Sequence, residues 1–175
     1  MGALIVVESW FGNTGAVAGA VAEGLGEVMA VDLRNIADAP ATLEPGIDLL
    51  VVGGPTHAVG MSRPGTRRDA ARQAGHATEP GIGVREWLAI LSGDIGRAAA
   101  FDTRIDTGWW AGSAASGIAK RLRRLGAELV AEPESFHVAG TPGPLVDGEL
   151  DRARRWGEQL ATAVSGAAGA AGRRR

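Results

Sequence analysis

Apolar residues fall along the chain in two alternating rhythms, short unbroken runs and longer stretches where they recur every three or four positions. The first run, Ala3 to Glu8, predicts a strand buried on both faces. Val17, Val21 and Leu25 then mark one face of a helix, with Gly15 and Gly19 expected to let it lie close to the sheet. Val28 to Leu33 reads as a second strand and Asp48 to Gly53 as a central one. Val84, Trp87, Leu88 and Leu91 form the next helical pattern, followed by a fourth strand at Ala98 to Thr103. Ala115, Ile118, Leu122 and Leu125 make a helix that stops at Gly126. A weaker strand from Leu129 to Val138 contains Pro133, which places it at the sheet margin. Leu150, Ala153, Gly157, Leu160 and Val164 outline the last helix, and the Gly/Ala-rich stretch Ser165 to Arg175 is expected to be a disordered tail.

Strands alternating with helices predict one three-layer α/β domain over residues 1–164, with a doubly wound, five-stranded parallel sheet. The connection from Thr56 to Gly83 breaks the rhythm. It is polar, long, and rich in Gly, Pro, Arg and His, so it is either functional or partly helical, with a helix expected over Ser62 to Gln73.

Composition removes several kinds of chemistry. The chain of 175 residues has no cysteine, which excludes disulfides, thiolate catalysis and cysteine-ligated metal centres. A net charge of −2 gives no nucleic-acid footprint. No apolar run reaches membrane-spanning length, and no secretory leader precedes the first strand, so a cytoplasmic protein with no membrane partner is expected. Lys120 is the only lysine. The arginines at 63, 67, 68 and 72, and the basic run Lys120, Arg121, Arg123 and Arg124, read as solvated helix faces, with the first cluster meeting either water or a pyridine-nucleotide phosphate.

Ligands of an open parallel sheet bind beyond the carboxyl ends of its strands, where the order reverses. The unusual residues of this chain fall there. Ser9-Trp10-Phe11-Gly12-Asn13-Thr14 follows the first strand and opens a helix, the arrangement of a phosphate cradle without a P-loop lysine. Gly53-Gly54-Pro55-Thr56-His57 follows the central strand, and Asp102-Thr103-Arg104 leads to Trp109-Trp110-Ala111-Gly112 after the fourth. Asp102 and Asp106 are read as fixing loop geometry. Ser62 lacks the setting of a nucleophile elbow, and Gly24-Leu25-Gly26 lies within a helix instead of following a strand. His76 and His137 are too scattered to suggest a metal site.

From Ala3 to about Val164 the sequence resembles the flavodoxin family, on the Ser9-x-x-Gly12-Asn13-Thr14 turn with Val17-Ala18, on Gly53-Gly54-Pro55-Thr56, and on Phe101-Asp102-Thr103-Arg104. The resemblance implies a flavodoxin-like sheet of order 2-1-3-4-5 that binds FMN. It implies that Ser9 and Thr14 bond the FMN phosphate, with the backbone N–H groups of Trp10, Phe11, Gly12 and Asn13 completing the cradle. Pro55, Thr56 and His57 would then line one side of the isoalloxazine, and Thr103, Arg104 and the segment to Gly112 the other. Phe11 departs from the family by replacing a hydroxyl residue. The chain also has no tyrosine, so Trp109 or Trp110 either stacks on the ring in its place or packs at a surface. His57 either tunes protonation of the ring or simply faces solvent. Apolar walls with little positive charge are expected to lower the potential for the last electron.

Three functions follow from the resemblance. One is electron transfer to a redox partner protein or small-molecule acceptor. The second is an NAD(P)H-dependent flavin or quinone reductase, to which the long insertion lends some support. The third is a binding module that has lost FMN. Oligomeric state is left open.

Overall fold

The central strand-forming runs, Leu4 to Val7, Leu49 to Val52 and Ala98 to Phe101, gather into one sheet because their apolar residues are buried on both faces. The computed structural model describes residues 1–58, 60–75, 81–106 and 112–172. The sheet contains β1 (Gly2–Val7), β2 (Ala30–Asn35), β3 (Ile47–His57), the short β4 (Gly60–Met61), β5 (Arg97–Ile105), β6 (Glu128–Leu129) and β7 (Glu134–Val138). The order is β2-β1-β3-β5-β6, with β7 also paired to β5, and all of these pairings are parallel. The predicted fifth strand is therefore split in two around Pro133, and the predicted order 2-1-3-4-5 holds once β6 and β7 are taken together. Only the β3–β4 pairing is antiparallel.

Helices α1 (Asn13–Gly26) and α5 (Glu149–Gly172) cover one face; α3 (Val84–Ile90) and α4 (Ala114–Arg124) cover the other, and α2 (Pro64–Gln73) lies in the long connection. Each face has its own core. On the first, Phe101, Phe136 and Trp156 meet edge to face with ring centroids 6.0–6.1 Å apart. On the second, Trp87, Leu88, Ile118 and Leu122 pack on Leu50 and Val52.

Three expectations change. The central strand does not stop at Gly53 but runs to His57, because Gly53 is where the Phe101 ring lies: a Cβ there would stand 2.1 Å from Phe101 Cζ. The glycines that permit close packing on α1 are not Gly15 and Gly19. Gly24 meets Gly157 of α5, where added Cβ atoms would sit 2.1 Å from Arg154 O and 2.4 Å from Val21 O, so two backbones touch. Finally, α5 continues past Val164 to Gly172, extending into the stretch read as a tail.

Candidate functional site

The turn after β1 is shaped by Gly12, whose φ of 87° lies in the left-handed region that glycine adopts without penalty. It stands at the N-cap of α1 but has no side chain to cap with, so Ser9 substitutes: its Oγ accepts from Gly15 N at 3.1 Å. The N–H groups of Asn13 and Thr14 are left without intrahelical partners at the positive end of the helix. Thr14 is buried, and its Oγ1 lies 2.7 Å from Thr103 Oγ1 at the end of β5. Asn13 Nδ2 donates to the Pro142 carbonyl at 2.6 Å, which ties the turn to the segment after β7.

The end of β3 curls into a hairpin with β4, pairing Thr56 with Met61 and His57 with Gly60, and Ala58 at its tip has φ 57°. Thr56 Oγ1 donates to Asp102 Oδ2 at 2.8 Å and accepts from Ala114 N at 2.8 Å. The same carboxylate oxygen accepts from Ala115 N at 2.9 Å. Asp102, fully buried, therefore holds the first turn of α4 against the hairpin, where negative charge complements the helix dipole. Its role is the loop-fixing one expected of it.

These strand ends enclose a cavity of about 310 Å³. Trp10, Phe11, Asn13 and Thr14 contribute from the first turn, Pro55 through Ala58 from the hairpin, and Thr103, Arg104 and Ile105 from β5, with Gly112 beyond. Ser9 and Gly12 stand behind this wall as helix-capping residues, and Trp109 and Trp110 lie outside the described residues. A further wall was missed in the sequence: Val138 and Gly140 to Pro142, after β7. The Gly-Thr-Pro-Gly-Pro run at the carboxyl end of the last strand was the available signal.

Beneath the cavity lies a buried charged network. Glu8, 2% exposed, accepts from Trp10 Nε1 at 3.0 Å through Oε1 and from Val84 N at 2.9 Å through Oε2. Arg67 is only 3% exposed and not part of a solvated face; its Nη1 donates to Ser62 Oγ at 3.1 Å and pairs with Glu86 Oε2 at 3.0 Å. Both groups converge on Gly83, where a Cβ would lie 2.6 Å from Arg67 Nη1 and from Glu8 Oε2. Burial works to raise the Glu86 carboxyl, but the Gly83 N–H and Arg67 outweigh it and hold the group below the usual carboxylate range. His57, half-buried on the cavity wall, is pushed below the ordinary histidine value by burial; Arg67 adds to the shift and Glu8 opposes it.

The fold has many counterparts among solved structures. A flavodoxin from the domain Archaea superposes with a TM-score of 0.65 at 22% identity, covering 94% of this chain and 99% of that one. Flavodoxin 1 from Bacillus cereus gives 0.67 at 18% identity, covering 93% and 98%. The fold is flavodoxin-like. A diflavin flavoprotein from Nostoc sp. shares it at a TM-score of 0.54 and 16% identity, with 94% of each chain covered. No protein-family model matches the chain, and no curated protein matches it by sequence. Among the described residues of this flavodoxin-like chain, no group of His, Asp and Glu is placed to hold a metal ion. None of its helices, over those residues, is long and apolar enough to cross a membrane.

Proposed function

We propose that the protein binds FMN non-covalently in the cavity and carries electrons to a redox partner protein or small-molecule acceptor. The observation that carries this reading is a single cavity holding unpartnered helix N-terminal donors at one end and facing walls from two strand ends at the other. The residues present suit the group. The N–H groups of Asn13 and Thr14, with the Ser9 hydroxyl behind them, would hold the phosphate. Pro55 and His57 would face one side of the ring, and Thr103 to Ile105 the other. Phe11 adds an apolar wall where a further hydroxyl would have added a donor.

Bound FMN supplies reversible uptake and release of electrons. The chain orients it and controls its surroundings. Burial lowers the proton affinity of His57, which disfavours a counter-charge there for negative charge gathered in the cavity on reduction. This supports the expectation of a lowered potential for the last electron.

The cavity, about 310 Å³, is of a size to take one ligand. The long insertion, which in the sequence lends some support to a reductase, folds into β4 and α2 and places Arg67 and Ser62 beneath the site.

Absorbance titration of the purified protein with FMN and with riboflavin tests the proposal. FMN is expected to show shifted visible bands, and riboflavin, lacking the phosphate, to bind at least about tenfold more weakly, roughly 1.4 kcal/mol. No spectral change with FMN would overturn the proposal in favour of a module without cofactor. Rapid anaerobic bleaching of the bound flavin by NADPH alone would replace the carrier with a reductase.

A further inference from the structure

The hairpin that forms one cavity wall is backed by arginines that form no ion pair among the described residues. Arg85 of α3 donates through Nε to the Ser62 carbonyl at 3.1 Å and through Nη2 to the Met61 carbonyl at 2.9 Å. Arg121 of α4 donates to the Arg85 carbonyl at 2.7 Å, and Arg63 precedes α2 on the same hairpin exit. These bonds seat the Arg85 and Arg121 side chains against the hairpin exit and against each other. Burial, then Arg121 and Arg63, push the Arg85 guanidinium below its ordinary value. The nearby carboxylate of Glu86 is already engaged by Arg67.

Among the described residues, none of Arg63, Arg85 and Arg121 forms an ion pair, and neither do Lys120, Arg123 and Arg124 at exposed positions of α4. These six basic residues belong to a chain whose net charge is only −2, so the cluster is not the reflection of a basic protein overall.

We propose that this basic surface, formed by Arg63, Arg85 and Arg121 next to the Thr56–His57 cavity wall, docks an acidic protein partner. The proposal rests on the electron-carrier reading for its purpose but not for its test. Charge spread over three successive helices suits a broad macromolecular face better than one phosphate group. Complementary charge there steers encounter and fixes orientation, bringing the partner to the exposed edge of the cavity.

The test uses the protein without flavin, so that failure of docking and failure of FMN binding are read separately. A fluorescein-labelled oligoglutamate peptide is titrated with the protein and followed by anisotropy. Saturable binding is expected at about 20 mM salt and is expected to disappear by about 200 mM. The double variant Arg63→Glu/Arg121→Glu should weaken binding about tenfold, whereas Arg155→Glu, exposed on α5 across the sheet, should leave it nearly unchanged. Thermal melts confirm that both variants are folded, and Arg63→Glu alone serves if the double variant is not. No binding of the peptide, or equal weakening by Arg155→Glu, would overturn the proposal. So would 2′,5′-ADP binding with the same dependence on Arg63 and Arg121 while the peptide fails to bind, which would make the surface a nucleotide-phosphate site.

Discussion

The hydroxyl oxygens of Thr14 and Thr103 stand 2.7 Å apart across 89 residues of chain, joining the first turn of α1 to the end of β5. One bond thus links the end of the cavity with phosphate-type donors to the wall that would face a ring. Replacing Thr103 by Val keeps the shape but leaves the Thr14 hydroxyl buried without its partner. A loss of about 1–3 kcal/mol in stability is expected by chemical denaturation, with Thr103→Ser restoring most of it. In FMN titrations the Val variant should bind more weakly than the Ser variant.

Glycines on the same helix should respond in opposite directions. Gly24→Ala would drive a methyl into the backbone of α5, which cannot retreat without moving the helix, and a loss of at least about 3 kcal/mol is expected. Gly19→Ala meets nothing within 4 Å and should stabilise the helix by about 0.5–1 kcal/mol. Melting temperatures of the two single variants decide the matter.

Arg67 and Arg68 are neighbours in sequence with unlike surroundings. Arg67→Ala removes the cation bonded to Ser62 and Glu86, and a loss of about 1–3 kcal/mol is expected. Exposed Arg68→Ala should change stability by no more than about 0.5 kcal/mol. Urea unfolding of the pair separates a buried arginine from a solvated one.

His57 makes stability depend on pH. Its proton affinity is lowered in the folded protein, so the unfolded chain takes up the proton first as pH falls. Its contribution is complete above the ordinary value of 6.5 and is lost as pH falls through the lower folded value. His57→Gln should therefore flatten the decline in melting temperature below about pH 6.5. A decline as steep as that of the unmodified protein would assign it to other groups.

Much of this was legible in the chain because the central strands are buried on both faces and so appear as unbroken apolar runs such as Leu49 to Val52. The alternation with helices then placed the first turn, the Pro55–His57 segment and Thr103–Arg104 at one end of the sheet. What stayed hidden depends on contacts between distant segments. Gly53 reads as a strand terminator until Phe101 is seen lying against it. Arg67 resembles its solvated neighbours because Ser62, Gly83 and Glu86 surround it only once the insertion folds back. The wall from Val138 to Pro142 is hidden in the sequence because nothing local shows that the loop after a proline-broken strand folds back over the first turn, where Asn13 bonds the Pro142 carbonyl.

That broken margin has a consequence for how molecules meet. An uninterrupted outer strand would offer a row of free amide and carbonyl groups on which another chain could extend the sheet. Here the outer strand is cut at Pro133, and Val138 bridges back to Leu145 of its own chain. At the opposite margin, β2 carries the Asp32–Arg34 ion pair at 2.7 Å. Both borders thus carry features that discourage strand addition, a broken strand on one side and charged side chains on the other.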